Sequence, residues 1–257
     1  MHKDQLKGQV SNYYDEVADI YSDLYSDKLS QAENQIIKEM MQENLPGKNV
    51  NVLDLGSGHG LALDLMHWDQ YTGIDISPDM VKQAKKQHPK AKFEVGDMEK
   101  LRFNNDSFDY VISLFGSVSH SLSPYQTISE IYRVLKPGGK IFIMLYSQYS
   151  MHNIRSVFKK NVGFESISPI QEYEIRNLKV RGSFARFYSK RKLLHLFRNF
   201  THIRIFGLNA LYELEFFKKK IQKNKNAYRR LKRDMILTKI NPNWGHSIII
   251  IAEKPDK

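Results

Sequence analysis

Short apolar runs alternate with amphipathic segments along the first 146 residues of the chain. We predict β-strands for the apolar runs at 50–55, 71–76, 92–95, 108–114 and 140–146. Segments with apolar residues at helical spacing separate these runs. Ser77 and Pro78 are typical of a helix start, as N-cap and first helical residue. The alternation predicts an α/β fold built on a doubly wound, mainly parallel sheet.

Two further helical segments precede the first strand. Residues 9–28 carry Tyr13, Val17, Ile20 and Leu24 at helical spacing, and residues 29–44 show a second apolar stripe. Pro46 and Gly47 then end the helical pattern. We therefore expect residues 1–46 to form helices that cap the sheet.

Beyond residue 147 the pattern weakens. Residues 147–188 have mixed polarity and are interpreted as an insertion, whereas 189–200 is typical of an N-capped helix. The apolar runs at 203–208 and 247–252 predict a sixth and a seventh strand. The seventh run is almost entirely β-branched, as expected of a strand buried on both faces.

A basic amphipathic helix is predicted between the last two strands, at 211–237. Its apolar face carries Phe217, Ile221, Tyr228, Leu231 and Met235. The basic residues around that face are Lys218, Lys219, Lys220, Lys223, Lys225, Arg229, Arg230, Lys232 and Arg233. Such a helix can lie on an anionic membrane, bind RNA, or act as a cap with solvated lysines. We expect one domain over 1–257, with 147–188 and 209–243 capping the substrate site.

A glycine loop follows the first predicted strand. It has the form D-x-G-x-G-x-G, running from Asp54 to Gly60, at the edge where open α/β sheets bind their ligands. A dinucleotide fingerprint would need a glycine where Leu61 stands. The loop therefore argues against a nicotinamide oxidoreductase and suits a cationic ligand that carries an amino acid.

Further motifs follow at strand–helix spacing, and together they resemble one family. They are Asp75, Asp97-Met98, Phe108-Asp109-Tyr110-Val111 and Leu135-Lys136-Pro137-Gly138-Gly139. With the glycine loop, this order resembles the class I S-adenosylmethionine (SAM)-dependent methyltransferases, in particular the small-molecule group with a methyltransferase 11/25-type domain. The resemblance covers residues 10–150. It implies a seven-stranded Rossmann-like sheet with one antiparallel strand, SAM as cofactor and S-adenosylhomocysteine as product.

The resemblance also implies roles for the residues of the glycine loop. The backbone of Gly56, Ser57 and Gly58 lines the methionine part of SAM, and Gly60 completes the loop. Asp54 orders the loop and favours the positive charge of the cofactor. None of these roles requires a metal ion, and none is expected.

The later strand ends supply the nucleoside contacts that the resemblance implies. Asp75 accepts hydrogen bonds from the ribose hydroxyls, and Ile76 packs on the adenine. Asp97 accepts from the adenine amino group, while the backbone of Met98 meets the ring. The alternative for each aspartate is that it only caps the helix that follows.

Fewer sequence motifs indicate which residues face the methyl acceptor. By resemblance, Tyr14 and Tyr21 contact the methionine end of SAM; the alternative is an amphipathic helix that only packs its tyrosines on the edge of the sheet. Ser113 and Leu114 begin the loop that, by the same resemblance, faces the methyl group. His120 in that loop could remove a proton from the acceptor, since an unperturbed imidazole titrates near neutrality. Alternatively, His120 caps a helix or binds backbone. The acceptor is expected to be a small molecule, anionic or lipid-like, methylated on oxygen or nitrogen, with carbon also open.

Composition narrows the context of this chemistry. The 257 residues include no cysteine, which excludes disulfides, thiolate metal sites and cysteine nucleophiles. No run approaches the roughly 18 apolar residues of a membrane span, and the N-terminus lacks the apolar core of a signal peptide. We therefore expect a cytoplasmic protein. The net charge of +11 permits nucleic acid or peripheral contact with anionic lipid as well as a solvated surface.

Two alternatives stay open from the sequence. One is an RNA or membrane-lipid methyltransferase that uses the basic helix, although the chain shows no RNA-binding module and nucleic acid is the less favoured partner. The other is a non-catalytic SAM-binding regulatory subunit, against which the intact glycine and acid motifs argue. Fold alone does not decide between such functions.

Overall fold

The computed structural model describes residues 3–47, 49–150, 172–175, 178–181, 183–212, 217, 221 and 226–256. In chain order the strands are β1 (Asn51–Leu55), β2 (Gln70–Asp75), β3 (Lys92–Val95), β4 (Phe108–Ser113), β5 (Leu135–Tyr146), β6 (Glu172–Ile175), β7 (Leu178–Arg181), β8 (Thr201–Leu208) and β9 (Ser247–Glu253). The helices are α1 (Lys3–Val17), α2 (Tyr21–Leu24), α3 (Lys28–Asn44), α4 (Leu61–Leu65), α5 (Pro78–Gln87), α6 (Pro124–Val134), α7 (Lys190–Leu196) and α8 (Ala227–Ile240).

A seven-stranded sheet with the order β3-β2-β1-β4-β5-β9-β8 forms the centre of the molecule. Strands β1 to β5 pair in parallel, whereas β9 pairs antiparallel with both β5 and β8. The predicted Rossmann-like sheet with one antiparallel strand is therefore confirmed. Strands β6 and β7 form a separate two-stranded hairpin.

Helices cover both faces of the sheet, and the residues of β9 show how. Ile249 and Ile251 pack into the cluster that contains α3, α4, α5 and α8, while Ile248 and Ile250 pack into the cluster with α6 and α7. Because successive side chains of a strand point to opposite faces, a strand buried on both faces needs an unbroken apolar run. This is why residues 247–252 lack the polar alternation of a half-exposed strand.

Local capping signals set several helix starts. Asp27 accepts hydrogen bonds from the amides of Leu29 and Ser30 at the start of α3, and Ser77 accepts from Met80 at the start of α5. Ser189 caps α7 in the same way, through the amide of Lys192. Each cap satisfies an amide that the helix itself leaves unpaired.

The structure changes some predicted boundaries. Strand β5 begins at Leu135 rather than at residue 140, with Lys136–Gly139 inside its bounds rather than in a turn. The register against β4 shifts between Phe108 and Tyr110, and this irregularity accommodates the additional residues. At the N-terminus, α1 begins at Lys3, earlier than the predicted helical segment at 9–28.

The basic helix predicted at 211–237 is described as α8 over Ala227–Ile240, with Ile221 and Leu231 fully buried. The five lysines predicted at 218–225 lie outside the described residues, as do residues 151–171 of the predicted insertion. None of the helices in the described part of the chain is long and apolar enough to cross a bilayer.

Candidate cofactor and acceptor site

The glycine loop connects β1 to α4 at the carboxyl edge of the sheet. Its start is fixed by the amides of Gly56 and Ser57, which both donate to the Ile74 carbonyl, at 2.8 and 3.0 Å. Gly56 and Gly58 have φ of +67° and +52°, in the left-handed region where a side chain is strained. A side chain at Gly56 would also collide with Ser117, so this glycine permits β1 and the loop after β4 to approach closely.

Asp75 ties this loop to the end of β2. Its Oδ2 accepts a hydrogen bond from the Gly58 amide and its Oδ1 accepts from the Ser77 amide, both at 2.9 Å. Burial raises the pKa of the Asp75 carboxyl, and the amides of Ser77 and Gly58 oppose that shift. Each carboxylate oxygen has a second lone pair, so Asp75 can still accept hydroxyl groups from a ligand.

Asp54 lies beneath the loop with one of its oxygens unpaired. Its Oδ2 accepts from the Tyr71 hydroxyl at 2.7 Å, whereas its buried Oδ1 has no partner among the described residues. Burial raises the pKa of Asp54 to about 7. Because buried polar atoms are nearly always paired, the orphaned oxygen fits the ammonium group of a ligand such as SAM.

Asp97 sits on the far side of the site in an ion pair that the sequence did not reveal. Lys7 Nζ of α1 lies 2.6 Å from Asp97 Oδ2 and 2.9 Å from Glu99 Oε2. Glu99 Oε1 in turn accepts from the amides of Leu122 and Ser123, at 2.7 and 3.0 Å. Glu99 thereby fixes the loop that carries His120.

Helix α1 covers the cofactor site. Besides the Lys7 ion pairs, Ser11 Oγ donates to the Ile76 carbonyl at 3.1 Å, and Asp15 Oδ1 accepts from Ser77 Oγ at 2.5 Å. Lys7, Ser11 and Asp15 recur every four residues and so share one helix face. Only that spacing in the sequence could have indicated this polar face.

The cavity left beneath α1 brings together five of the predicted cofactor residues and His120. It measures about 40 Å³, and its lining includes Gly56, Asp75, Ile76, Asp97, Met98 and His120. Lys7 of α1 also lines this cavity, so the helix forms one wall of the space in which a cofactor would lie.

Other predicted contact residues lie in the framework around this cavity. Ser113 Oγ donates to the Leu55 carbonyl at 2.8 Å, and Leu114 and Ser57 are buried. Gly60 packs against the rings of His88 and Phe93. Their contact with a cofactor stays a prediction.

His120 joins α1 to the loop after β4. Its Nδ1 lies 2.6 Å from the Phe184 carbonyl oxygen, and its Nε2 lies 3.0 Å from the Tyr14 hydroxyl. A carbonyl can only accept, so Nδ1 carries the proton and Nε2 accepts from Tyr14. Burial lowers the pKa of His120 to about 4, so the imidazole stays neutral at physiological pH.

Aromatic rings line the region between α1 and the glycine loop. The Tyr21 ring lies 6.1 Å from Tyr14 and 5.6 Å from His59, measured between centroids. A second cavity of about 140 Å³ adjoins these rings and is lined by Tyr21, Ser22, Tyr25, Ser30, Asn34, His59, Leu61 and Phe115. Aromatic faces attract cations, so this lining suits a site that handles a sulfonium.

Asp54 and His120 are expected to act on the pH dependence of stability in opposite directions. Between about pH 4 and 6.5 Asp54 is protonated in the folded protein but ionised in the unfolded chain, so its contribution to the free energy of unfolding falls as pH rises. His120 is neutral when folded but protonated when unfolded, so its contribution rises over that range.

Replacing Asp54 by asparagine should leave the His120 effect unopposed. Between pH 4 and 6.5, the free energy of unfolding of D54N should rise by roughly 3 kcal/mol more than that of the wild type. Urea unfolding at a series of pH values measures this, with H120Q expected to deviate in the opposite direction. Parallel curves for D54N and wild type would contradict the raised pKa of Asp54, and parallel curves for H120Q and wild type would contradict the lowered pKa of His120.

Known proteins are similar to this chain in sequence and in fold. A family model described as a methyltransferase domain matches residues 53–143. A demethylmenaquinone methyltransferase of Chlorobaculum tepidum is 31% identical over 166 residues, which cover 61% of this chain and 68% of that protein. A phthiotriol/phenolphthiotriol dimycocerosates methyltransferase of Mycobacterium leprae is 38% identical over 104 residues, and the match spans 39% of this chain but only 38% of that relative.

Solved structures show the same fold. A SAM-dependent methyltransferase from Thermotoga maritima has a TM-score of 0.65 at 17% identity, over 95% of this chain and 99% of that one. The fold is that of a doubly wound α/β protein, and the candidate site lies at the carboxyl edge of the sheet, where such sheets bind their ligands. The chain belongs to the class I SAM-dependent methyltransferases, which are enzymes with SAM as their cofactor.

Proposed function

We propose that this protein transfers the methyl group of SAM to a hydroxylated, lipid-like small molecule. The observation that carries the proposal is the convergence of the glycine loop, Asp75, Asp97 and His120 on one cavity at the carboxyl edge of the sheet. When bound, SAM supplies a methyl group already activated on a sulfonium. The protein must therefore align the reactants, exclude water and accept a proton from the acceptor.

Within this proposal each group of the site has one task. Asp75 holds the ribose hydroxyls and Asp97 the adenine amino group, after Lys7 has released Asp97. The orphaned oxygen of Asp54 takes the ammonium of the methionine end. Helix α1 closes over the bound cofactor through Ser11 and excludes water from the reacting atoms.

The acceptor proton is proposed to pass to the pair formed by Tyr14 and His120. Nε2 of the neutral His120 carries the lone pair that takes a proton, and the Phe184 carbonyl keeps Nδ1 protonated. The Tyr14 hydroxyl occupies that lone pair in the closed site, so it can relay a proton from an acceptor. His120 is a weak base while buried, which suits an acceptor hydroxyl whose acidity rises as the new bond forms.

The acceptor class is inferred from the second cavity and from the relatives. Four of its lining residues, Tyr21, Tyr25, His59 and Phe115, present rings beside the glycine loop. A volume of about 140 Å³ suits one planar group rather than a whole lipid chain. The relatives are named for a demethylated menaquinone and for phthiotriol lipids, which supports a hydroxylated ring or a lipid alcohol as acceptor. Methylation of a ring carbon is included in this proposal.

Calorimetric titration followed by a transfer assay tests the proposed function. SAM and S-adenosylhomocysteine should bind with micromolar affinity, whereas NADH should not bind. Label from methyl-labelled SAM should then pass to a demethylmenaquinol kept reduced in detergent. Transfer also to a matched quinol whose ring positions are all substituted would assign the methyl group to oxygen, whereas transfer to the demethylmenaquinol alone would assign it to carbon. Binding of SAM without transfer to any quinol or lipid alcohol would refute the acceptor class, and absence of SAM binding would refute the cofactor site.

A further inference from the structure

A basic groove lies outside the cofactor site, between the start of α6 and helix α7. Its volume is about 660 Å³. We define the basic groove by six of its lining residues, which are Tyr125, Tyr149, Arg186, Arg191, Lys192 and His195. Among the described residues, no acidic side chain lines it.

The cations of the basic groove are not neutralised within the part of the chain that the structure describes. Arg191 and Lys192 are exposed and make no ion pair there. The Arg186 guanidinium donates to the carbonyls of Ser121 and Leu122, both at 3.2 Å, and these neutral partners fix it without cancelling its charge. The groove therefore presents a fixed positive potential that attracts anions.

Apolar side chains are exposed beside these cations. Tyr125 is 61% exposed, Tyr149 is 38% exposed and Leu194 of α7 is 42% exposed. A soluble anion would need only the cations, whereas a bilayer surface also offers an interface into which tyrosine and leucine can insert. The combination favours an anionic lipid surface over a free phosphate.

The segment Phe184–Tyr188 connects the basic groove to the candidate active site. The Phe184 carbonyl binds His120, while Phe187 lines the groove. The Phe187 ring lies 6.0 Å from Tyr146, whose ring lies 5.9 Å from His120. A surface that docks at the groove is thus separated from the site by a thin wall of aromatic residues.

We propose that the basic groove docks this protein onto an anionic lipid bilayer, from which the lipid-like acceptor reaches the site. The source of the acceptor rests on the proposed function, but docking itself requires no methyl transfer. Helix α8 is the competing surface, because Arg229 and Arg233 lie beside the exposed Ile236 and Ile240. Helices α8 and α7 pack on opposite faces of the sheet, so the two surfaces can be tested separately.

Sedimentation of the full chain with sucrose-loaded vesicles tests the docking. At low ionic strength the wild type should sediment with vesicles of phosphatidylglycerol and phosphatidylcholine, but not with phosphatidylcholine alone. The variant R191Q/K192Q should bind about thirtyfold more weakly, as expected for two basic residues at an anionic surface. Y125S tests the insertion of the aromatic ring and should weaken binding severalfold.

The matched control is R229Q/R233Q, which loses the same charge on α8 and should bind vesicles within about threefold of wild type. Equal losses in both double variants would mean general attraction by net charge and would overturn the proposal. Vesicle binding lost only in R229Q/R233Q would assign the docking to α8 instead. Binding of soluble glycerol phosphate without any vesicle binding would make the groove a small-anion site and would also overturn it.

Calorimetry with SAM separates this inference from the proposed function. R191Q/K192Q should bind SAM as the wild type does, because neither residue contacts the cofactor cavity. If the wild type binds SAM and methylates a quinol in detergent but does not bind anionic vesicles, only the docking proposal is refuted. If the protein binds vesicles but does not bind SAM, only the proposed function is refuted.

Discussion

Replacing Asp75 by alanine is expected to weaken SAM binding by about a hundredfold. In the proposed complex the carboxylate accepts two hydrogen bonds from ribose hydroxyls, and bonds to a charged group contribute about 1.5–3 kcal/mol each. Loss of about 3 kcal/mol corresponds to a factor of roughly one hundred in affinity. The variant also frees the Gly58 amide, which loosens the loop that lines the methionine part.

Titration calorimetry measures this effect, and two further variants control it. D75N keeps the shape and can still accept hydrogen bonds, so it should lose less affinity than D75A. D79N removes an exposed carboxylate at the start of the neighbouring helix α5 and should bind SAM as the wild type does. If D75A stays within twofold of wild type while remaining folded by circular dichroism, Asp75 does not hold the ribose.

Replacing His120 by alanine is expected to lower kcat by about a hundredfold or more, the range of general acid–base catalysis. The variant removes the imidazole that takes the proton from the methyl acceptor. It also removes the hydrogen-bond partner of the Tyr14 hydroxyl. Y14F should lower kcat by a smaller factor, because His120 then remains but the relaying hydroxyl is gone. The control is H67Q, at a histidine whose side chain is 91% exposed, and it should retain full turnover.

The pH dependence tests whether His120 is neutral in the folded protein, and the turnover of H120A tests whether it is catalytic. Because burial lowers its pKa to about 4, His120 stays neutral and able to accept a proton well below pH 6.5. The kcat of the wild type should therefore not fall between pH 7 and about pH 5 through this group. Titration of the ring nitrogens by NMR should place the pKa near 4, and near-full turnover in H120A would remove His120 from the mechanism.

Features that depend on residues close together in the chain could be predicted from the sequence. The Ser77 and Ser189 caps, the buried run of β9 and the glycine loop after β1 are set by residues within a few positions of one another. The start of β5 was misplaced because Pro137-Gly138-Gly139 has the composition of a turn. The strand bounds include these residues because Leu135 pairs with Phe108 of β4, while Gly138 and Gly139 exchange backbone hydrogen bonds with Lys254 beyond β9.

The contacts that close the site join distant residues and could not be predicted. Lys7 meets Asp97 across 90 positions, and Tyr14 meets His120 across 106. The role of Glu99 could not be predicted, because a single glutamate after a strand forms no recognisable motif. Its role depends on the amides of Leu122 and Ser123, which reach it only in the folded chain. The partner of His120, the Phe184 carbonyl, has no side-chain signature at all.

By itself the sequence determined the alternation of strands and helices, the family and the identity of the acidic and glycine residues at the strand ends. These follow from hydrophobic period and backbone stereochemistry, which act locally along the chain. The tertiary structure decided that α1 covers the candidate cofactor site and that burial favours a neutral His120. It also decided that cations with no ion pair among the described residues collect in the basic groove. Those properties depend on burial and on which surfaces pack together, and both exist only once the chain has folded.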